Sequence, residues 1–277
     1  MTNRRDPRAD LLTIESLQVK LGDSLAVSDV SMGIRPGGFV GIIGPNGAGK
    51  TTLLNAVSGL CRATRGRISF EGSDITNVRA HKIARVGIAR TFQGVQLVPY
   101  LSALANVMVG RHVAMRSSIV ATGAGVGRCR AEERRARQEA LDALDLVGAA
   151  GLAGMRADQL AYGQQKLIEL ARAVALGPRL LLLDEPTSGM TQAEKDAVIE
   201  SVLAIRSATS MTLAIIEHDV RLVRRVCEEL VVMEAGLVIA AGPTARVLAE
   251  PQVQEAYLGT GAARQPKDGP QHAGETQ

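Results

Sequence analysis

The 277-residue chain has no tryptophan, and only 2% of its residues are aromatic. Its core must therefore be packed mainly with Leu, Val, Ile and Ala, and a stacking surface for single-stranded nucleic acid is not expected. The three cysteines, Cys61, Cys129 and Cys227, are far apart and show no CxxC spacing. This pattern argues against a disulfide framework or a zinc site and favours a reducing compartment.

Long apolar runs are also missing from the chain. The N-terminal segment MTNRRDPRAD is charged and has no apolar stretch behind it, so no signal peptide is expected. No stretch reaches the roughly 18 uninterrupted apolar residues that a membrane-spanning helix needs. The net charge of +4 is modest and indicates no particular partner.

The middle of the chain alternates between β-type runs and helical patterns, which predicts an α/β fold with a mostly parallel sheet. The predicted strands are Gly38–Ile43, Arg67–Phe70, Leu180–Asp184, Thr212–Ile216, Leu230–Glu234 and Leu237–Ala241. The predicted helices are Thr51–Ser58, Glu132–Leu146, Gln164–Ala175, Gln192–Ile205 and Val220–Val226. Nearer the N-terminus, the segments Leu12–Val19 and Ala26–Ile34 indicate an antiparallel β region with a turn at Gly22-Asp23.

Residues 93–175 differ from the rest because they contain no clear strand. They carry Pro99, a glycine-rich segment at residues 123–127 and a charged amphipathic helix. We interpret this stretch as a helical lobe inserted into the core, whose two parts are residues 11–92 and 176–259. The polar ends, residues 1–10 and 260–277, are predicted to be flexible tails.

A glycine-rich segment follows the first predicted core strand and matches the pattern GxxxxGK[ST]: Gly44, Pro45, Asn46, Gly47, Ala48, Gly49, Lys50 and Thr51. Glycines let backbone N–H groups curl around a phosphate, and the next helix directs its positive end at the anion. Lys50 is predicted to reach the β- and γ-phosphates and the Thr51 hydroxyl to ligate Mg²⁺. Thr52 completes the predicted nucleotide-binding segment. The flanking strand and helix disfavour the alternative, a turn that binds nothing.

Four leucines at residues 180–183 run into Asp184 and Glu185. Buried strands of α/β proteins deliver their last residues to the ligand crevice. Asp184 is predicted to hold Mg²⁺ and Glu185 to polarise an attacking water, although alone the two carboxylates would also suit a solvated turn. Another apolar strand ends at Glu217 and His218, where His218 either reaches the γ-phosphate or is a surface histidine.

Taken in order, these segments resemble the ATP-binding subunits of ABC transporters over about residues 11–259. Arg90–Gln93 resembles the Q-loop, which implies that Gln93 contacts Mg²⁺ and the attacking water. The segment LAYGQQ stands where the LSGGQ signature belongs, so Ala161, Tyr162, Gly163 and Gln164 would contact the ATP of an opposite subunit. Residues 188–191 are similar to the D-loop, and His218 falls on the switch histidine. The fold implied is a P-loop NTPase core.

Several segments resemble more narrowly the ATPases of branched-chain amino acid importers: LAYGQQ, RTFQGVQLVPYLSALANVMVGRH, EPQVQEAYLG and the long helical insertion. This resemblance implies a subunit that hydrolyses ATP with Mg²⁺ at the cytoplasmic face of the cell membrane. Its partners would be transmembrane permease subunits, a second ATPase subunit, identical or homologous, and indirectly a substrate-binding protein. No nucleic acid is expected.

Three residues depart from the family pattern. Thr191 replaces the usual Asp of the D-loop, which would weaken contacts to the opposite site. Ala161 replaces the signature Ser and removes a hydroxyl donor to the γ-phosphate. Leu21 stands where an aromatic ring normally stacks on adenine, and loss of such a ring corresponds to about 1 kcal/mol.

Other functions remain open for a similar core. A DNA-repair ATPase would need coiled-coil arms or a basic stripe. The arginines of the helical lobe instead have glutamates beside them in the chain, as on a solvated face: Arg134, Arg135 and Arg137 with Glu132, Glu133 and Glu139. A non-transport regulator that does not hydrolyse ATP would be compatible with the three departures. A GTPase is disfavoured because no NKxD motif is present.

Overall fold

The computed structural model describes residues 10–112 and 126–258. The predicted tails, apart from Asp10, lie outside the described residues, as does the first part of the glycine-rich segment at residues 123–127.

The N-terminal part forms a four-stranded antiparallel sheet. Its strands β1 (Leu12–Leu21), β2 (Ser24–Ile34), β4 (Arg65–Phe70) and β5 (Ser73–Asp74) pair in the order β2-β1-β4-β5. Leu21 pairs with Ser24 across a two-residue connection, so the predicted turn at Gly22-Asp23 is confirmed.

A six-stranded sheet forms the centre of the fold. It consists of β3 (Phe39–Ile43), β6 (Ile88–Arg90), β7 (Leu180–Asp184), β8 (Thr212–Ile216), β9 (Glu229–Glu234) and β10 (Leu237–Pro243). The order is β10-β9-β3-β8-β7-β6, and every pairing is parallel except that of β9 with β10. All residues of β3, β7 and β8 are buried, as expected for parallel strands covered on both faces.

Alternate residues of the central strands enter two different core clusters. Leu181 and Leu183 of β7 pack in a cluster with helical residues, whereas Leu180 and Leu182 pack in the cluster that includes the antiparallel sheet. The helices are α1 (Lys50–Val57), α2 (Ala80–Arg85), α3 (Ala103–His112), α4 (Val126–Leu146), α5 (Tyr162–Val174), α6 (Gln192–Ala208), α7 (Val220–Val226), α8 (Thr244–Val247) and α9 (Pro251–Leu258). No helix of the described ranges is long and apolar enough to cross a membrane.

Helices α3, α4 and α5 lie between β6 and β7 in the chain and pack on one another. Ala140 and Leu144 of α4 are fully buried with Val107 of α3 and Ile168 of α5, so the apolar face predicted for α4 is the face that packs. The predicted limits of the helical lobe, residues 93 and 175, stay predictions.

Candidate active site

The segment between β3 and α1 is the predicted phosphate-binding loop, and its backbone requires glycine at two points. Gly44 has φ +154 and Gly49 has φ +94, values that residues with a Cβ rarely adopt. A Cβ on Gly49 would lie 2.2 Å from the carbonyl oxygen of Ala26, and one on Gly44 would lie 2.1 Å from that of Met233. Close packing against β2 and β9 therefore fixes the loop in front of α1.

Lys50, the first residue of α1, is buried beside this loop. Its Nζ donates to the carbonyl oxygens of Gly44 at 2.7 Å and Pro45 at 2.9 Å. Burial lowers the pKa of Lys50, and the charges of Glu185 and Asp184 oppose that change. A cation held beside the N-terminus of a helix makes this region favourable for a bound anion.

Asp184, the last residue of β7, is 2% exposed. Its Oδ1 lies 3.4 Å from Thr51 Oγ1, and its Oδ2 accepts a hydrogen bond from Arg90 Nη2 at 2.6 Å. The side chain of Arg90 is only 5% exposed, and its Nη1 donates to Asn55 Oδ1 at 2.7 Å. Arg90 thus fixes one carboxylate oxygen while the other faces Thr51.

Glu185 follows directly after β7 and has φ +47, which lies in the left-handed region. Successive strand residues point to opposite faces, so this change of backbone direction accounts for two adjacent carboxylates at one site. Gln93 Nε2 donates to Glu185 Oε2 at 2.9 Å, and His218 Nε2 lies 2.7 Å from Oε1. Because an ionised carboxylate only accepts hydrogen bonds, His218 donates from Nε2. The three residues predicted to be catalytic form one hydrogen-bonded group.

A cavity of about 670 Å³ brings most of the predicted nucleotide site together. It is lined by residues 46–52 and by the group of Gln93, Glu185 and His218. Leu21 and Ala26, on either side of the first β-turn, line it as well. Its volume is within the range of about 300–1,000 Å³ that is typical of small-molecule sites.

The four predicted signature residues do not line this cavity. Ala161 precedes α5 as its N-cap and offers no side-chain acceptor. Gln164 Oε1 accepts from the Ala161 N–H at 3.0 Å instead, and Tyr162 is 40% exposed. The start of α5 is therefore a second helix N-terminus, separate from the one at Lys50.

Glu194 of α6 connects the start of α5 to the segment that resembles the D-loop. Its Oε1 accepts from the Gly163 N–H at 3.2 Å, and its Oε2 accepts from the Thr191 N–H at 3.0 Å and hydroxyl at 2.8 Å. The hydrogen bond from the Thr191 side chain, followed by those from the two backbone N–H groups, lowers the pKa of Glu194. Thr191 and Glu194 thus form a capping box for α6, which explains why threonine suits this position.

Sequence reasoning gave no role to Glu217, which is buried beside His218. Glu217 Oε1 accepts from the Thr187 hydroxyl at 2.7 Å, and Oε2 accepts from the His218 N–H at 3.2 Å. Burial raises the pKa of Glu217, and hydrogen bonds from Thr187 and His218 oppose the rise. The available signal was a carboxylate at the end of an apolar strand. Arg90 stands at the start of the segment that resembles the Q-loop, and that resemblance assigns it no function.

Thr51, Asp184 and Gln93 can offer hydroxyl, carboxylate and amide oxygens, which suit Mg²⁺. Gln93 directs its amide nitrogen at Glu185, so its Oε1 is the atom left for a metal. No group of three or more His, Cys, Asp or Glu side chains placed to hold a metal occurs in residues 10–112 and 126–258. Mg²⁺ binds through one or two carboxylates together with water and phosphate oxygens, so the residues present fit this ion.

A glycine-rich loop before α1, with an acidic pair at the end of a nearby parallel strand, defines a P-loop nucleotide hydrolase. A family model described as ABC transporter matches residues 27–188, and one described as branched-chain amino acid ATP-binding cassette transporter matches residues 238–263. The chain belongs to the ABC transporter family, and the resemblance found in the sequence is confirmed.

Known proteins of the same family are similar over nearly their whole length. The high-affinity branched-chain amino acid transport ATP-binding protein BraF of Pseudomonas aeruginosa is 36% identical over 249 residues, 90% of this chain and 98% of BraF. LivG of Escherichia coli, with the same description, is 34% identical over 254 residues, 90% of this chain and 98% of LivG. The ADP conformation of MJ1267, an ATP-binding cassette of an ABC transporter, is 31% identical with a TM-score of 0.77 and covers 90% and 99% of the two chains.

Membership in this family makes the chain an ATP-binding and ATP-hydrolysing transporter subunit with the predicted α/β P-loop core. These relatives give no support to the alternatives of a DNA-repair ATPase or a non-transport regulator.

Proposed function

We propose that this chain hydrolyses Mg-ATP in the cavity beside residues 44–52 and thereby drives a membrane importer for branched-chain amino acids. The proposal depends on the position of the Glu185 carboxylate. Gln93 and His218 contact its two oxygens, and it lines the same cavity as Lys50. Phosphoryl transfer depends mainly on positioning and on charge stabilisation, and this arrangement supplies both.

The phosphates would be bound by the loop, by the backbone N–H groups at the start of α1 and by the Lys50 ammonium. Thr51, Asp184 and Gln93 would hold Mg²⁺, which when bound neutralises charge on the β- and γ-phosphate oxygens. Arg90 supports this role because it fixes Asp184 Oδ2 and leaves Oδ1 beside Thr51.

Glu185 would act on the attacking water. As the water oxygen bonds to the γ-phosphorus and the bond to the β–γ bridging oxygen breaks, Glu185 accepts a water proton. Gln93 and His218 fix its two oxygens. Glu217 would position His218 by binding its backbone N–H.

Two ATPase subunits, identical or homologous, would complete each site. Residues 161–164 lie away from the cavity of their own chain, so they would contact the nucleotide bound to the opposite subunit. ATP then favours the closed pair because its γ-phosphate bridges two chains, and hydrolysis lets the pair open. The Ala161 and Gly163 N–H groups are bound by Gln164 and Glu194, so the N–H groups of Tyr162 and Gln164 at the start of α5 would replace the hydroxyl that Ala161 lacks.

The helical lobe is the part that we assign to the permease. Tyr100, Val109 and Met155, three large apolar or aromatic residues of the lobe, are 71%, 44% and 40% exposed, and such side chains on a surface suit contact with another protein. Met155 lies next to the start of α3, since its carbonyl oxygen accepts from the Ala103 N–H at 2.8 Å. Opening of the ATPase pair would move this surface and with it the permease.

The solute is inferred from the relatives, because the ATPase itself does not touch it. BraF and LivG are described as serving branched-chain amino acid transport, and a substrate-binding protein would deliver the solute on the other side. The subunit itself would lie at the cytoplasmic face of the cell membrane.

Phosphate release from Mg-ATP tests the catalytic part of the proposal with the full-length chain. Glu185→Gln is expected to retain ATP binding and to lose at least about 100-fold in turnover, the usual contribution of a positioned base. Glu200→Gln, a matched change at an exposed carboxylate of α6, should leave turnover unchanged. Equal rates for wild type and Glu185→Gln would remove Glu185 from its role.

Uptake by cells that carry the complete transporter tests the transport part. Lys50→Ala is expected to abolish uptake of leucine, isoleucine and valine, whereas Lys82→Ala, at an exposed lysine of α2, should preserve it. Loss of uptake of a different solute, with these three unaffected, would contradict the proposed substrate class.

A further inference from the structure

Helix α5 carries two buried charges, Lys166 and Glu169, in its middle turns. Lys166 is 4% exposed and Glu169 is 1% exposed, and the ammonium lies 3.2 Å from Glu169 Oε2. Removing two charges from water is unfavourable, and apolar residues of similar volume often stabilise a core equally well or better. Core packing alone therefore does not explain this pair.

The ammonium of Lys166 binds the backbone of the loop that carries Gln93. Its Nζ donates to the carbonyl oxygens of Phe92 and Gln93, both at 2.7 Å, in addition to Glu169 Oε2. An ammonium group has three donors, and all three are used here. Lys166 thus fixes the carbonyl group that precedes Gln93 in the chain and the carbonyl group of Gln93 itself.

Glu169 organises the cations of α5 around the same loop. It pairs with Lys166 and, at 3.8 Å, with Arg172, whose other guanidinium nitrogen donates to the carbonyl oxygen of Gln96. Burial raises the pKa of Glu169, whereas the charge and hydrogen bond of Lys166, the charge of Arg172 and the N–H of Phe92 oppose the rise. Three loop residues are therefore held by one helix.

This loop leads directly to Glu185, because Gln93 Nε2 donates to Glu185 Oε2 at 2.9 Å. The same helix α5 begins at Tyr162, within the signature segment. A continuous series of hydrogen bonds thus runs from α5 through the loop backbone and Gln93 to Glu185. A displacement of the helix that both segments share would change the contacts that orient Gln93.

We propose that Lys166 and Glu169 are positioning residues that set the Gln93 side chain against Glu185 and couple it to the position of the signature helix. The inference rests on the proposed roles of Gln93 and Glu185. Lys166 and Glu169 act through the backbone of residues 92 and 93 and do not line the nucleotide cavity. Turnover therefore depends on them, whereas ATP binding at Lys50 does not.

The test compares variants of the full-length chain by ATP Kd, kcat and melting temperature. Lys166→Met leaves the Glu169 carboxylate buried without its main partner and should lower the melting temperature. The paired variant Lys166→Met/Glu169→Leu removes both charges and should recover it. Both variants are expected to lower kcat about ten-fold and to leave the ATP Kd unchanged. A loss of about ten-fold is the change in rate that corresponds to the loss of one charge-assisted hydrogen bond.

A double-mutant cycle with Gln93→Ala separates positioning from a general structural role. If the pair acts through the Gln93 side chain, the paired variant has no further effect on kcat once that side chain is removed. Ser201→Ala is the matched control, because Ser201 is a buried polar residue of α6 that donates to the carbonyl oxygen of Val147 at 2.8 Å. It should lower the melting temperature and leave kcat unchanged in both backgrounds.

If the paired variant does not fold, the same double-mutant cycle can be measured with Arg172→Met. This position is less buried, with 21% of the side chain exposed. Arg172→Met should lower kcat less than Lys166→Met does, and again only while Gln93 is present. Two results would overturn the inference: an unchanged kcat in these variants, or a loss of kcat that is equal with and without the Gln93 side chain. Either result leaves the proposed function intact as long as Glu185→Gln remains slower than wild type. Equal rates for wild type and Glu185→Gln would instead overturn the proposed function.

Discussion

Two helix N-termini of this chain meet nucleotide in the proposed mechanism, and they are built in different ways. At α1, the loop lies directly before the helix, and Gly44 and Gly49 pack against backbone carbonyl groups of neighbouring strands. At α5, Ala161 offers no capping side chain. The Gly163 N–H instead meets the carboxylate of Glu194, which lies 31 residues away in the chain.

The site at α1 is completed by one short segment of the chain. The site at α5 depends on contacts between distant residues and, in the proposed mechanism, on a second chain. Changes in the loop at α1 should remove nucleotide binding itself. Changes around the start of α5 should leave binding intact and reduce turnover, because the affected contacts serve the opposite subunit's nucleotide.

The largest effect is expected at Lys50. Lys50→Ala removes the buried ammonium that would contact the phosphates, so the ATP Kd measured by calorimetry should rise at least about 100-fold. Lys82→Ala, at an exposed lysine of α2, should bind ATP normally. Retained tight binding by Lys50→Ala would show that the loop is not the phosphate site.

A smaller effect is expected at Glu194. Glu194→Ala frees the Gly163 N–H and the Thr191 hydroxyl, so the start of α5 loses its fixed relation to α6, and kcat should fall about ten-fold. The ATP Kd should not change, and Glu200→Ala on the same helix should match wild type in both measurements. A rise in Kd as large as that of Lys50→Ala would break the proposed separation.

Leu21 tests the adenine side of the cavity, where an increase in affinity is expected. Leu21→Tyr supplies the ring that the family normally places there, and stacking worth about 1 kcal/mol should tighten ATP binding about five-fold. Leu25→Tyr, at a nearby residue that is 39% exposed and does not line the cavity, is the control. Equal Kd values for both variants would indicate that adenine lies elsewhere.

The smallest effect is expected at Thr191, the N-cap of α6. Thr191→Ala should lower the free energy of unfolding in urea by about 1 kcal/mol, whereas Thr191→Ser, which keeps the hydroxyl, should retain it. Equal stability of the two variants would mean that the capping box contributes nothing at this position.

The central strands could be predicted because β3, β7 and β8 are nearly continuous apolar runs bounded by glycine or by polar residues. β6 cannot be predicted in this way, since a strand of three residues, Ile88–Arg90, is too short to show a periodic pattern. The sequence does not predict α3 either, because its exposed Val109 and its Gly110 interrupt an amphipathic pattern. Gly110 is required there, as a Cβ would lie 2.8 Å from Arg172.

In the candidate site, too, some residues could be predicted from a local pattern and others could not. The loop at residues 44–51 is contiguous, so its pattern alone predicts its chemistry. By contrast, Gln93 and Glu185 are 92 residues apart, and only the family resemblance suggested that they serve one site. Arg90 and Lys166 show no local signal, because each acts through a partner that tertiary folding brings to it. The left-handed backbone of Glu185 is likewise a property of the folded strand end.

A crystal structure of Glu185→Gln with Mg-ATP tests the central claim most directly. The proposal predicts the β- and γ-phosphates against residues 44–51, with Mg²⁺ about 2.0–2.1 Å from Thr51 Oγ1 and Asp184 on the same side of the ion. Nucleotide bound away from this loop, or a metal remote from both Thr51 and Asp184, would contradict it.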